Sequence, residues 1–113
     1  MRRSRWHVPP AEILDALPQD GGPRLASVFD RGDVTVELYA PQGRDDQAPH
    51  ERDELYVVIA GTGQFACAGT VVEFAAGDLL FVPAGMEHRF ESFTEDFATW
   101  VVFFGPQGGY GVG

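Results

Sequence analysis

The chain contains no lysine and only one cysteine among its 113 residues. The absence of lysine excludes chemistry that proceeds through a lysine Schiff base. The single cysteine, Cys67, excludes an internal disulfide bond, and we expect it to pack as a small apolar side chain in a reducing compartment. No serine or cysteine is placed with a candidate base, which disfavours a covalent hydrolase mechanism.

The sequence also lacks an apolar run of the ~20 residues that a membrane-spanning helix needs. Its basic start, with Arg2, Arg3 and Arg5, lacks the apolar core of a secretory signal, so a cytoplasmic location is expected. The formal net charge of −9 disfavours nucleic acid and anionic membrane surfaces as partners. We therefore interpret the arginine cluster as a solvated terminal segment.

Turn-forming residues are abundant, with 14 glycines and 8 prolines in a chain long enough for one domain. Glycine, proline and aspartate divide the chain into short apolar segments, which predicts an all-β fold. Strands are predicted at residues 25–29, 34–40, 54–60, 64–68, 70–74, 79–82, 87–92 and 97–104. Eight short antiparallel strands without a long helix between them must close into a barrel or pack as two sheets.

Three regions are predicted along the chain. Residues 1–23 form an N-terminal arm with a short helix at 11–17, residues 24–104 form the barrel, and residues 105–113 form a flexible glycine-rich tail. The barrel segments 55–60 and 100–104 are apolar without alternation, which indicates burial on both faces. Because a short arm covers little surface, a homodimer is expected.

The polar run from His50 to Glu54 is the first candidate for a site. A straight strand would hold these two residues about 13 Å apart, too far for both to bind one ion. We therefore interpret Glu51-Arg52-Asp53 as a tight turn, with His50 closing one strand and Glu54 opening the next. A metal-free alternative remains open, in which Glu54 pairs with Arg52 at the surface and the histidines are ordinary core or surface residues.

A second signal runs from Gly77 to His88. It consists of Gly-Asp, a short apolar strand, a Pro83-Ala84-Gly85 turn, and a histidine early in the next strand. His88 would then lie on a strand next to His50 and Glu54. His7 lies outside both signals, and we interpret it as a structural or surface residue.

Together these segments resemble the two motifs of the cupins, G-x5-H-x-H-x3-4-E-x6-G and G-x5-P-x-G-x2-H-x3-N, over about residues 33–104. The second motif matches at Gly77, Pro83, Gly85 and His88, with Ser92 in place of the asparagine. The first motif matches at His50, Glu54 and Gly61, with Gly43 roughly in place. Ala48 occupies the position of its first histidine.

The resemblance implies a double-stranded β-helix, or jelly-roll barrel, with a metal ion held inside it. Carried over to this sequence, the metal ligands are His50, Glu54 and His88. Two histidines and one carboxylate match the facial triad of non-haem iron sites, but Fe, Zn, Ni or Mn could each occupy them. On an extended strand Ala48 would share the cavity side with His50. Gln47 could offer an oxygen, but the same alternation would point it away.

Strand alternation from the candidate ligands predicts the lining of a pocket. It places Tyr56 and Val58 on the side of Glu54, and Met86, Phe90 and Ser92 on the side of His88. Trp100 is expected to form a further wall, and Arg89 is expected to point away from the cavity. The predicted pocket residues are Tyr56, Val58, Met86, Phe90 and Trp100.

The predicted function is a small metal-dependent cupin enzyme, of the oxygenase or isomerase type, acting on a small apolar or aromatic molecule. The alternative is a non-catalytic domain that binds or senses a small molecule through the same pocket. A purely structural barrel without metal is the third interpretation. The cupin fold supports all three, because one fold hosts many activities.

Overall fold

The computed structural model describes residues 7–110. Its elements in order are α1 (Pro10–Ala16), β1 (Leu25–Arg31), β2 (Val34–Tyr39), β3 (Asp53–Ala60), β4 (Thr62–Cys67), β5 (Thr70–Ala75), β6 (Leu79–Val82), β7 (His88–Phe93) and β8 (Ala98–Phe104). The predicted short helix and all-β class are confirmed. Arg2, Arg3, Arg5 and the last three residues of the predicted tail lie outside the described residues.

The strands form two antiparallel sheets that face each other. The larger sheet has the order β1-β2-β8-β3-β6, and the smaller has the order β5-β4-β7. Their facing sides share an inner core, to which the larger sheet contributes Tyr56, Val58, Val82 and Val101, and the smaller sheet Phe65, Phe74 and Phe90. This arrangement is the predicted double-stranded β-helix.

The short helix α1 covers part of the outer face of the larger sheet. Its Ile13 and the following Leu17 pack against Leu38 of β2 and Ala98 of β8 in a second, outer cluster. Pro10 occupies the first turn, where its missing N–H costs no hydrogen bond. No helix within residues 7–110 has the length and apolar character needed to cross a membrane.

Trp100 also belongs to this outer cluster, which corrects the prediction that it forms a wall of the pocket. Register explains the difference: Trp100 pairs with Leu38 on one side and with Val57 on the other. Successive side chains of a strand face opposite sides of the sheet. Val101, the residue after Trp100, therefore points into the inner core. Residues 100–104 are all apolar and gave no alternation from which to read this phase.

Two rows of apolar side chains run across all five strands on this outer face. The first row is Phe29, Val36, Val102, Leu55 and Phe81, and the second is Ala26, Leu38, Trp100, Val57 and Leu79. The helix covers the β1-β2-β8 side of the second row. Phe81 and Leu79 at the opposite edge are 52% and 63% exposed.

Gly61, the last residue of the first motif, joins β3 to β4 with a φ of +91°. A Cβ atom added there would lie 2.7 Å from the Cα atom of Phe97, closer than such atoms approach. Gly69, in the turn between β4 and β5, has a similar φ of +81°, but a Cβ atom there would meet open space. Of these two glycines, Gly61 is restricted by both conformation and space, and Gly69 by conformation alone.

We predict that Gly69→Ala lowers the free energy of unfolding by about 1–2 kcal/mol, the cost of a left-handed backbone for a non-glycine residue. Gly61→Ala should cost about 3 kcal/mol or more, because overpacking adds to the same backbone strain. Urea unfolding of both variants provides the comparison. Equal losses would show that the backbone near Phe97 yields without cost.

Candidate metal centre

Hydrogen bonds hold the first motif segment, near His50, against the Pro83-Ala84-Gly85 turn of the second motif segment. The carbonyl of His50 accepts a hydrogen bond of 2.7 Å from the Gly85 N–H. The Asp53 carboxylate accepts one of 2.9 Å from the Ala84 N–H, and Asp53 is 7% exposed. These bonds fix the start of β3 against the turn that precedes β7.

His50 does not close a strand, which corrects the prediction made for it. Residues 40–52 form no helix or strand, and His50 lies in this irregular loop between β2 and β3. Glu54 is the second residue of β3, and His88 is the first residue of β7. The turn over residues 51–52 nevertheless brings His50 and Glu54 to one point, as the spacing argument required.

The three predicted ligands form one cluster, in which the ligand atoms all lie within 4.8 Å of one another. His88 Nε2 lies 3.3 Å from Glu54 Oε1, and His50 Nε2 lies 4.0 Å from Glu54 Oε2. The side chains of Glu54 and His88 are fully buried, whereas the His50 side chain is 35% exposed. The centre therefore opens towards the solvent on the His50 side.

Among the residues that the structure describes, three buried atoms of this cluster have no hydrogen-bond partner, namely both Glu54 carboxylate oxygens and His88 Nε2. The other ring nitrogen, His88 Nδ1, lies 2.9 Å from the Met86 carbonyl oxygen and donates its proton to it. A neutral His88 would then direct a lone pair from Nε2 at a carboxylate, which is unfavourable without a cation between them. A divalent ion fits this donor set.

The Glu54 carboxylate makes the environment of the cluster favourable for a positively charged group. Burial lowers the pKa of His88, but interaction with the Glu54 carboxylate and the Met86 carbonyl outweighs this effect, so the pKa is raised. Burial and the charge of Glu54 raise the pKa of Tyr56 and so keep its hydroxyl protonated. The same two causes raise the pKa of Glu37 on β2. Carboxylates thus dominate the surroundings of the cluster.

The remaining predicted pocket residues lie beneath the ligands. Tyr56, Val58 and Phe90 are buried in the inner core, and Met86 is half-buried against it. Tyr56 and Phe90 meet edge to face, with ring centroids 4.9 Å apart. These side chains are packed in the inner core next to the three candidate metal ligands.

Ser92 does not share the inner side with Phe90, contrary to the alternation argument. A β-bulge between Gln64 and Phe65 shifts the pairing of β4 with β7. Ser92 is consequently exposed, and the neighbouring Phe93 packs against the inner core instead. Local sequence carries no sign of such a bulge.

Two surface depressions meet at His50. One, of about 290 Å³, is lined by Thr35, Arg52, Phe103 and Gln107 as well as His50. The other, of about 420 Å³, is lined by Pro49, Ala84 and Gly85 among others. Between them the segment after β8 is held at Glu51, whose carbonyl accepts a 2.6 Å hydrogen bond from the Gly108 N–H.

The loop before His50 contains two residues that the sequence did not assign to the site, and strand alternation argued against one of them, Gln47. Asp45 is 3% exposed, and its carboxylate accepts hydrogen bonds from the Tyr39 hydroxyl, the Phe90 N–H, and the backbone and side-chain N–H groups of Gln47. Gln47 Oε1 in turn accepts a hydrogen bond of 3.0 Å from the Tyr56 hydroxyl. A run of two aspartates in a polar loop offers no signal for this role.

Ala48 is exposed and lines neither depression at His50, which corrects the expectation that it shares the cavity side with His50. The expectation assumed an extended strand, but the hydrogen bonds of Asp45 hold the loop in an irregular conformation. Gln47 is the residue that reaches the centre, although strand alternation had placed it on the opposite side.

Comparison with known proteins agrees with this fold and these motifs. The family model described as the cupin domain matches residues 35–104. The chain belongs to the cupin family.

Individual relatives give further detail. An uncharacterised protein of Streptomyces coelicolor, SCO3923, is 36% identical over 76 residues, which cover 66% of this chain and 72% of that protein. A double-stranded β-helix protein of Klebsiella pneumoniae is 21% identical, with a TM-score of 0.71 over 90% of each chain. A cupin-2 domain protein of Shewanella frigidimarina is 20% identical, with a TM-score of 0.66 over 86% of this cupin and 93% of that chain. At these identities the two structures establish the fold alone.

We predict that Asp45→Ala lowers the free energy of unfolding by about 3 kcal/mol, because it leaves the buried Phe90 N–H and the Tyr39 hydroxyl without an acceptor. Asp46→Ala is the matched control, since Asp46 pairs with Arg44 at the surface and should change stability little. Urea unfolding monitored by circular dichroism measures both. A small loss for Asp45→Ala would mean that water replaces the carboxylate.

Proposed function

We propose that this cupin binds one divalent transition-metal ion, Fe, Zn, Ni or Mn, through His50, Glu54 and His88. The observation that supports the proposal most strongly is the buried Glu54 carboxylate. Within residues 7–110 neither of its oxygens has a hydrogen-bond partner, and the neighbouring His88 Nε2 has none either. An uncompensated buried carboxylate is costly, and a coordinated cation removes that cost.

The proposed activity is that of a metal-dependent enzyme of the oxygenase or isomerase type. Two histidines and one carboxylate leave coordination positions open, and an ion held there would supply Lewis acidity or a binding position for oxygen. A substrate would reach the ion from the His50 side, because the Glu54 and His88 side chains are buried and the His50 side chain is partly exposed.

The proposed substrate is a small apolar or aromatic molecule. The inner core below the ligands is filled by packed aromatic rings, so a bound molecule must approach from the depressions beside His50. Phe103 offers an aromatic face there, with its ring centroid 4.7 Å from that of His50. The small volume of these depressions also suits the alternative function, a non-catalytic domain that binds or senses a small molecule.

Metal analysis tests the proposed centre. Protein purified without chelator or nickel resin should contain about one equivalent of a transition metal. His50→Ala and His88→Ala should each abolish metal binding yet retain the parent circular dichroism spectrum, because the inner core carries the fold. His7→Ala is the matched control, since His7 is an exposed histidine outside the cluster. Full metal content in either ligand variant would remove that histidine from the site.

We also propose that a second copy of this chain covers the exposed part of the outer sheet face. The two apolar rows described above contain no ionisable side chain, so pairing two such faces buries no unpaired charge. Large exposed apolar patches are uncommon on monomers, and a two-fold axis would place the same patch against itself.

Light scattering at micromolar concentration is expected to give the mass of a dimer. Phe81→Glu should convert it to a monomer, because the carboxylate would be buried in the contact. Val71→Glu is the matched control: Val71 is 53% exposed, as Phe81 is 52% exposed, but lies on the smaller sheet. A parent protein that is monomeric would refute this pairing.

A further inference from the structure

Gln47 lies at the metal centre although the cupin motif assigns it no role. Its side-chain oxygen Oε1 is 3.4 Å from His50 Nε2. Atoms that coordinate one ion at about 2.0–2.1 Å lie roughly 3 Å from one another. The Gln47 oxygen thus has the spacing of a neighbouring ligand in the same coordination shell.

The hydrogen bonds of the amide determine which of its two ends faces the centre. Gln47 Nε2 donates a 3.1 Å hydrogen bond to Asp45 Oδ2, and an ionised carboxylate only accepts. Turning the amide over would bring its oxygen against that buried carboxylate and its NH₂ group against the donating Tyr56 hydroxyl. Asp45 therefore directs the Gln47 oxygen towards His50.

The Gln47 oxygen has a lone pair available for an ion. An amide oxygen carries two lone pairs, and the Tyr56 hydroxyl uses one of them. In the absence of an ion, a proton on His50 Nε2 would use the other. Coordination of an ion by His50 requires an unprotonated Nε2, and this change frees the second lone pair of Gln47.

We propose that Gln47 Oε1 is a fourth ligand of the ion, with Asp45 and Tyr56 as its positioning residues. The inference rests on the metal centre proposed above. Gln47 would take the place of the histidine that the first cupin motif has at the position of Ala48. The donor set is then two imidazoles, one carboxylate and one neutral amide oxygen.

This donor set has a consequence for metal preference. Oxygen ligands suit Mn²⁺, whereas imidazole suits Zn²⁺ and its neighbours. Exchanging the amide oxygen for a third imidazole at the same place should therefore shift relative affinity from Mn²⁺ towards Zn²⁺. A residue that only supported the loop would not produce such a shift.

The test is titration of the metal-free protein with Mn²⁺ and Zn²⁺ in competition with a chromogenic chelator. Gln47→Leu keeps the size of the side chain but removes the oxygen, and should weaken Mn²⁺ binding about tenfold or more at unchanged stoichiometry. Gln47→His should increase the ratio of Zn²⁺ to Mn²⁺ affinity above that of the parent. The absorption spectrum of the Co²⁺-loaded protein should differ between parent and Gln47→Leu, because the coordination number changes.

Ala48→His is the matched control, since the exposed position 48 should leave Mn²⁺ affinity unchanged. Parent-like affinity and Co²⁺ spectrum in Gln47→Leu would overturn the role of Gln47 and leave the three-ligand centre standing. A tightened Mn²⁺ affinity in Ala48→His would show that the motif position, and not Gln47, faces the ion. Failure of the parent to bind any of these ions would overturn the centre and the inference together.

Discussion

The buried carboxylate of Glu54 is the constraint on which the centre of this cupin depends. It lies between two packed sheets, and no described residue forms a hydrogen bond with either oxygen. Desolvating a charged carboxylate costs several kcal/mol unless a positive charge lies beside it. In the metal-free protein a proton on His88 provides such a charge, and the Glu54 carboxylate raises the pKa of His88 despite burial. An ion bound at the proposed centre would therefore couple its binding to folding of the barrel.

The loop before β3 is the second component of the site, and a buried carboxylate organises it as well. Asp45 connects three parts of the barrel, because its partners are Tyr39 on β2, Phe90 on β7 and Gln47 in the loop itself. Unlike Glu54, it has a donor for each oxygen. The contrast distinguishes the two carboxylates: Asp45 is satisfied by the protein and acts as a support, whereas Glu54 remains available for an ion.

The strands and the helix could be predicted because turn residues mark their ends in the local sequence. The cluster of three candidate ligands could be predicted from the spacing of the two motifs. Trp100 could not be placed, since its apolar strand shows no alternation and its phase depends on pairing with β2 and β3. Ser92 was misplaced by a β-bulge that arises between strands. Gln47 was assigned to the wrong side because the loop conformation depends on a hydrogen bond from the Phe90 N–H to Asp45, which lies 45 residues away in sequence.

Gln47 lies near His50, although the motif predicts that position 48 does. Counting residues along a motif therefore does not always identify the side chain that faces the site. A motif position specifies a direction in space only while the backbone keeps the strand geometry that the motif assumes. Here the loop has no strand geometry, and the residue before the expected position reaches the centre. Ala48 alone therefore does not decide whether a coordination position is empty. In the proposed centre, Asp45 and Tyr56 direct a neutral amide oxygen to the place of a histidine nitrogen.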